Sequence, residues 1–142
     1  MLARRCALLG LLVCLAFSPP ARAETLAEAA ARRYPQPVRV GDLLTRQVLW
    51  PQESQRSLGR VRNVVSPGNG GIEVIIDYGG IFGYFTRPIA VPVEAVALLG
   101  EYLVMLGFAP EQLNALPSFS VASAVALPVD AIIRVALAKP AH

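Results

Sequence analysis

Four regimes of hydrophobic patterning succeed one another along the 142 residues. Cys6 to Phe17 is an unbroken apolar run. Residues 24–34 are alanine-rich with charges interspersed, Val38 to Leu106 alternates apolar and polar positions in short stretches, and Val121 to Leu137 is again strongly apolar. Alternation with a period of two puts successive side chains on opposite faces of a pleated strand, so the third regime predicts a β domain. Within it, Val38-Arg39-Val40 and Thr45 to Trp50 read as short strands on either side of a turn-like Gly41-Asp42, and PQESQRS at 51–57 reads as a loop.

The strongest local signal lies between Gly59 and Pro92. Ser66-Pro67-Gly68-Asn69-Gly70-Gly71 is rich in residues that accept positive φ or a fixed proline φ, which predicts a hairpin loop. Pairing Val65 with Ile72 puts Asn63 opposite Val74 and Val61 opposite Ile76 on an apolar core face. On the other face Arg60 then falls across from Asp77, and Arg62 across from Ile75, diagonal to Glu73 and Asp77. These arginines read either as an anion site or as a solvated ion-pair ladder, and the alternation of two acids with two bases favours the ladder. A second glycine cluster follows, Tyr78-Gly79-Gly80-Ile81-Phe82-Gly83-Tyr84-Phe85-Thr86-Arg87. Its spacing is neither the dinucleotide nor the P-loop pattern, and no helix start follows, so its glycines read as bend points.

Pro88 to Val93 reads as a strand whose prolines place it at a sheet edge or place themselves at its ends. Residues 101–106, EYLVML, form a strand apolar on both faces, which requires something packed outside the sheet. Pro110 opens a short helix over EQLNAL, closed before Pro117. Val129 to Ala138 fits helical spacing but is short and β-branched, which favours a strand that joins or covers the sheet. At the other end, Thr25 and Glu28 have capping-box spacing for a short helix, and Pro35-Gln36-Pro37 reads as a linker after it. That helix has Leu26 as its one large apolar residue, so a docked helix and a frayed arm are both open here.

The first regime changes the picture of charge and compartment. Arg4 and Arg5, the twelve-residue apolar run and Ala21-Arg22-Ala23 have the form of a secretory signal peptide, with cleavage expected after Ala23. As a helix the run would reach about 18 Å, short of the roughly 30 Å hydrocarbon core of a bilayer. A periplasmic or secreted protein is therefore expected, without a transmembrane segment once the leader is gone. The formal charge of +3 comes from 13 basic and 10 acidic residues, and Arg4, Arg5 and Arg22 leave with the leader, so 10 balance 10 in the mature chain. The basic character belongs to the leader, and nucleic-acid binding is not expected. Cys6 and Cys14 both lie in the leader, which removes disulfides, thiol catalysis and thiolate metal sites from the mature chain.

The remaining chemistry is sparse. The one histidine is His142 and the one lysine is Lys139, which leaves no material for a Ser-His-Asp triad, a multi-histidine metal site or a buried Schiff-base lysine. Glu73 and Asp77 share a strand face, but their arginine neighbours suit ion pairing rather than the general-acid work of a hydrolase. No enzyme, no cofactor and no metal are expected.

The order of features resembles the PRC-barrel family. The segments that carry the likeness are GDLLTRQV, LGRVRNVV, IEVIIDYGGIFG, RPIAVPVEAV, EYLVM and FAPEQLNALPSF, from about Val40 to Phe119. The resemblance implies a mainly β fold, a small closed or partly open barrel with short flanking helices, acting as an adaptor. The cytoplasmic domain of the photosynthetic reaction-centre H subunit and the C-terminal domain of a ribosome-maturation factor belong to that family. The implied division is a leader at 1–23, a helix and linker at 24–37, the barrel at 38–119 and an apolar extension at 120–142, read as a strand packed on the barrel. Where the family suggests a plainer turn after Gly83, this chain has Tyr84-Phe85. Tyr84, Phe85 and Arg87 are therefore the candidate contacts to an unidentified envelope protein, with Tyr84 and Phe85 folded back as barrel plugs as the competing reading. A carrier of small molecules or lipids using the barrel mouth and the tail is the alternative function, and it needs a cavity of at least a few hundred Å³. Homodimerisation through the tail strand is a further expectation.

Overall fold

A computed structural model describes residues 24–53, 56–81 and 83–138. Residues 1–23, where a leader is expected, and Phe82, Lys139 and His142 lie outside the described residues. In chain order the elements are helix α1 (Leu26–Ala31), strand β1 (Gln36–Arg39), the single turn α2 (Val40–Leu43), β2 (Gln47–Leu49), β3 (Ser57–Ser66), β4 (Glu73–Tyr78) and β5 (Arg87–Pro92). A 3-10 turn at Val93–Ala95 leads to β6 (Val96–Leu99), β7 (Tyr102–Met105), α3 (Pro110–Ala115), β8 (Val125–Ala126) and β9 (Ile132–Leu137). The protein is mainly β, and its strands form one sheet in the order β1-β9-β6-β7-β2-β3-β4-β5, with β8 on β3.

The sheet is not closed: its path ends at β1 and β5, which do not pair among the described residues. Both ends are blunted by proline. Val93 N–H donates to Ile72 O, and this phase makes Arg87, Ile89 and Val91 the residues of β5 whose main chain faces β4. Pro88, Ala90 and Pro92 therefore point outward, where two of the three have no N–H to offer. The Pro88 carbonyl is already taken by Phe119 N–H at 2.7 Å. At the other end Val40 N–H donates to Ala131 O, so Gln36 and Val38 face β9 and Pro37 and Arg39 face away. Edges with so few outward donors are poor templates for another strand, Ala90 and Arg39 keeping theirs.

The segment from Leu116 to Ala131 straps across the sheet. Its main chain bonds in turn to Pro88 of β5, Val64 of β3 and Gly41 and Val40 of α2. It then delivers β9 between β1, antiparallel, and β6, parallel through Ala97↔Ala136 and Leu98↔Leu137. The tail is thus a strand with main-chain partners on both sides. A dimer formed by strand pairing on β9 would have to displace β1 or β6.

The inner face is packed with Val40, Leu43, Val48, Ile76, Ile89, Leu103, Met105 and Leu113, each at most 1% exposed. Burying a side chain of this size stabilises by about 1.5–3 kcal/mol. A second, smaller cluster of Ala30, Ala97, Val104 and Ala136 lies on the outer face. Three alanines there let α1 approach closely, which accounts for the strand 101–106 being apolar on both faces. The capping box forms as its spacing predicts, with Glu28 N–H donating to Thr25 Oγ1 and Thr25 N–H to the Glu28 carboxylate. The Thr25 N–H and the Thr25 hydroxyl both donate to the Glu28 carboxylate, at 2.9 and 3.0 Å, and hold that carboxyl below its ordinary value of 4.5. Leu26 anchors the helix against Gly107, where an added Cβ would fall 2.8 Å from the leucine Cδ2. The docked helix forms, rather than a frayed arm.

Several expectations need correction. Pro35-Gln36-Pro37 is not a plain linker, because Gln36 and Pro37 pair with β9. The expected strand Thr45 to Trp50 shrinks to three residues because Thr45 takes a left-handed φ of 68°. In the β3–β4 hairpin the expected register holds for Arg60↔Asp77 and Val61↔Ile76, then slips at a β-bulge. Arg62 is the extra residue, so Val64, not Asn63, faces Val74, and Val65 faces Glu73 rather than Ile72. The Asn63 side chain stays near the bulge and accepts from Val64 N–H at 2.8 Å. β6 escapes a period-two reading because Val96-Ala97-Leu98-Leu99 has no polar alternation, being covered on both faces.

Candidate functional site

The loop between β4 and β5 is a small hairpin of its own. Ile81 N–H donates to Tyr84 O and Tyr84 N–H to Ile81 O, each at 2.9 Å, which closes a two-residue turn. Gly80 must be glycine: its φ is 76°, and a Cβ there would collide with the Tyr84 carbonyl oxygen. The main-chain groups of Ile81 and Tyr84 are thus satisfied within the loop, while the side chains of Ile81, Tyr84 and Phe85 are exposed. Ile81 is 68% exposed, Tyr84 72% and Phe85 94%. Phe85 also has a φ of 60°, a region that costs a bulky L-residue on the order of 1–2 kcal/mol. The two aromatics are not plugs of the interior.

Arg87 behaves differently from its neighbours. Its guanidinium donates to the carbonyls of Leu116 at 2.6 Å, Leu113 at 3.0 Å and Asn114 at 3.1 Å. These carbonyls lie at the C-terminal end of α3, where helix acceptors lack a following turn and a cation meets the negative end of the helix dipole; the Leu113 carbonyl also takes the Leu116 N–H at 3.2 Å. The guanidinium lies 5.7 Å from the centroid of the Tyr78 ring, whose hydroxyl donates to Asn114 Oδ1 at 2.6 Å. Arg87 is a clamp between β5 and α3, and its donors are directed inward rather than to a partner.

Beside the loop runs a groove of about 460 Å³ walled by Ser57, Gly59, Arg60, Asp77, Gly79, Gly80, Gly83 and Thr86, among others. The expected ion-pair ladder reduces here to one pair, Arg62 with Asp77 at 3.3 Å, because the bulge swings Arg62 to the carboxylate. With side-chain exposures of 59% and 34% that pair contributes little to stability. Among the described residues the Arg60 side chain has neither a hydrogen bond nor an ion pair, although it stands directly opposite Asp77. No group of three or more His, Cys, Asp or Glu side chains is placed to hold a metal ion among the described residues. None of their helices is long and apolar enough to cross a membrane.

Of the three residues singled out in the sequence, Tyr84 and Phe85 lie together on the exposed face and Arg87 does not join them. Ile81 belongs with the aromatics and was missed. Its signal was available in Gly80-Ile81-Phe82-Gly83, since a large apolar residue beside turn glycines has no strand face to bury. The unpaired state of Arg60 had no sequence signal, because it follows from a bulge one residue away. No protein-family model matches the chain, and no curated protein matches it in sequence.

Proposed function

We propose that the protein is a non-catalytic interaction module of the cell envelope, exported by a leader cleaved after Ala23 and built on a partly open, PRC-type β-barrel. It binds another protein through the loop that carries Tyr84 and Phe85. The observation that supports this reading is Phe85, a large aromatic side chain 94% exposed on a left-handed backbone. Neither feature helps the fold, since glycine or asparagine would serve the turn better and a polar side chain would suit the exposure. Aromatic side chains held on a short, internally bonded turn supply contact area at low entropic cost. The carrier alternative is not favoured, because the space between the strands is filled by side chains and the groove outside it has, among the described residues, Leu58 as the one large apolar residue in its lining.

The test is the double substitution Tyr84→Ser, Phe85→Ser together with a photo-crosslinker placed at Thr86. Loss of the crosslinked partner with an unchanged melting temperature supports the reading. A large fall in thermal stability with the partner still captured would sink it.

A further inference from the structure

We propose that the groove beside the loop receives an extended peptide segment carrying a carboxylate, which Arg60 binds while Tyr84 and Phe85 cover the segment's apolar side chains. This rests on the interaction reading above and names the kind of partner it fits. Two charged residues line the groove, Arg60 and Asp77, and Arg62 reaches Asp77 from outside the lining. Arg62 occupies the Asp77 carboxylate at 3.3 Å, so among the described residues Arg60 is left without a partner. A guanidinium fork without a partner is complemented by a carboxylate, in a charge-assisted and often bidentate bond.

The shape argues for a chain rather than a small molecule. The volume of about 460 Å³ suits a ligand, but Arg60, Gly79 and Gly83 are exposed and the groove is not enclosed. It shares Gly83 with the hairpin that holds the aromatics, so a ligand using both must run out of the groove along the loop. At Gly79 and Gly83 the space a Cβ would take is empty, which lets a second main chain come close. Strand addition at β5 does not compete, because Pro88 and Pro92 remove two of its three outward N–H positions. The segment is therefore held by side chains and the groove floor, not by a sheet ladder.

The test is selection of a displayed library of random peptides on the purified full chain, followed by fluorescence anisotropy of an enriched peptide. Enriched peptides are expected to carry Asp or Glu next to apolar residues. Arg60→Glu and Gly79→Asn are each expected to raise Kd by about tenfold or more, which is 1.4 kcal/mol or more, with Arg60→Lys retaining part of the affinity. Asn is chosen at Gly79 because it tolerates positive φ while filling the groove. Arg60→Gln serves if the charge reversal fails to fold. Absence of any enriched peptide, no preference for acids, or indifference to both groove variants overturns the inference. Loss of binding with Phe85→Ser but not with the groove variants also overturns it and leaves the adaptor reading standing. Loss with the groove variants but not with Phe85→Ser overturns the inference in its joint form and removes the aromatic contact from the adaptor reading as well. Binding to phosphatidylglycerol–phosphatidylethanolamine vesicles, or self-association in sedimentation, that disappears with the same substitutions in place of peptide binding would also overturn it.

Discussion

β4 has a glycine-rich turn at each end, and the two turns solve the same problem with different side chains. At 66–71 Gly68 and Gly70 take φ of 87° and 83°, and the polar side chains serve the turn itself. Asn69 Oδ1 accepts from Gly71 N–H at 2.9 Å and Ser66 Oγ donates to Gly71 O at 3.3 Å. At 79–86 Gly79, Gly80 and Gly83 take φ of 75°, 76° and 81°, and Ile81 and Tyr84 close the turn with their main chain, yet the side chains of Ile81, Tyr84 and Phe85 are exposed and bond to nothing in it. Reversing a chain therefore accounts for everything at 66–71, but only for the glycines at 79–86. The surplus is apolar, exposed and strained, and that surplus is where the functional proposal sits.

The comparison can be broken most forcefully at Gly80. Gly80→Ala combines a left-handed φ with a collision against the Tyr84 carbonyl and should cost about 2–4 kcal/mol in denaturant unfolding, whereas Gly70→Ala, which has open space for a Cβ, should cost about 1 kcal/mol. Equal costs would mean that the second turn is no more constrained than the first. Next in size, Arg87→Ala removes three charge-assisted bonds to the end of α3 and should cost about 2–3 kcal/mol, with protease cleavage appearing first around residues 110–117. An Arg87 variant of unchanged stability would return that residue to the contact surface. Asn69→Ala should cost about 1 kcal/mol through its lost bond to the Gly71 amide, measured by thermal melting. Smallest of all, Phe85→Asn should leave stability within about 1 kcal/mol of the parent, on the side of a gain, because it relieves left-handed strain. A clear loss of stability in Phe85→Asn would show that the aromatic serves the fold after all.

How much was legible in the sequence differs between these places. Thr25 with Glu28 and Pro110 before EQLNAL are local signals, and both helices form where those residues stand. The two glycine turns and the proline-bearing strand 88–92 are equally local, since positive φ and a missing N–H are properties of single residues. The hairpin register was legible near Arg60 and Val61 but not past Arg62, because a bulge depends on how the bent strand packs rather than on alternation. The sheet order had no local signal at all. β6 and β9 pair in parallel, as do β2 and β7, and such pairings are chosen by which apolar faces meet after collapse.

The sequence by itself determined the turns, the caps, the period-two strands and the presence of Tyr84 and Phe85 beside a turn, because each depends on residues a few positions apart. Only the tertiary structure decided that those aromatics point outward, that Arg87 is bound to α3 across 26 to 29 residues of chain and that Arg60 is left without a partner among the described residues. Each of those outcomes is a competition between distant groups for the same space or the same hydrogen bond, and that competition is settled only when the strands are brought together.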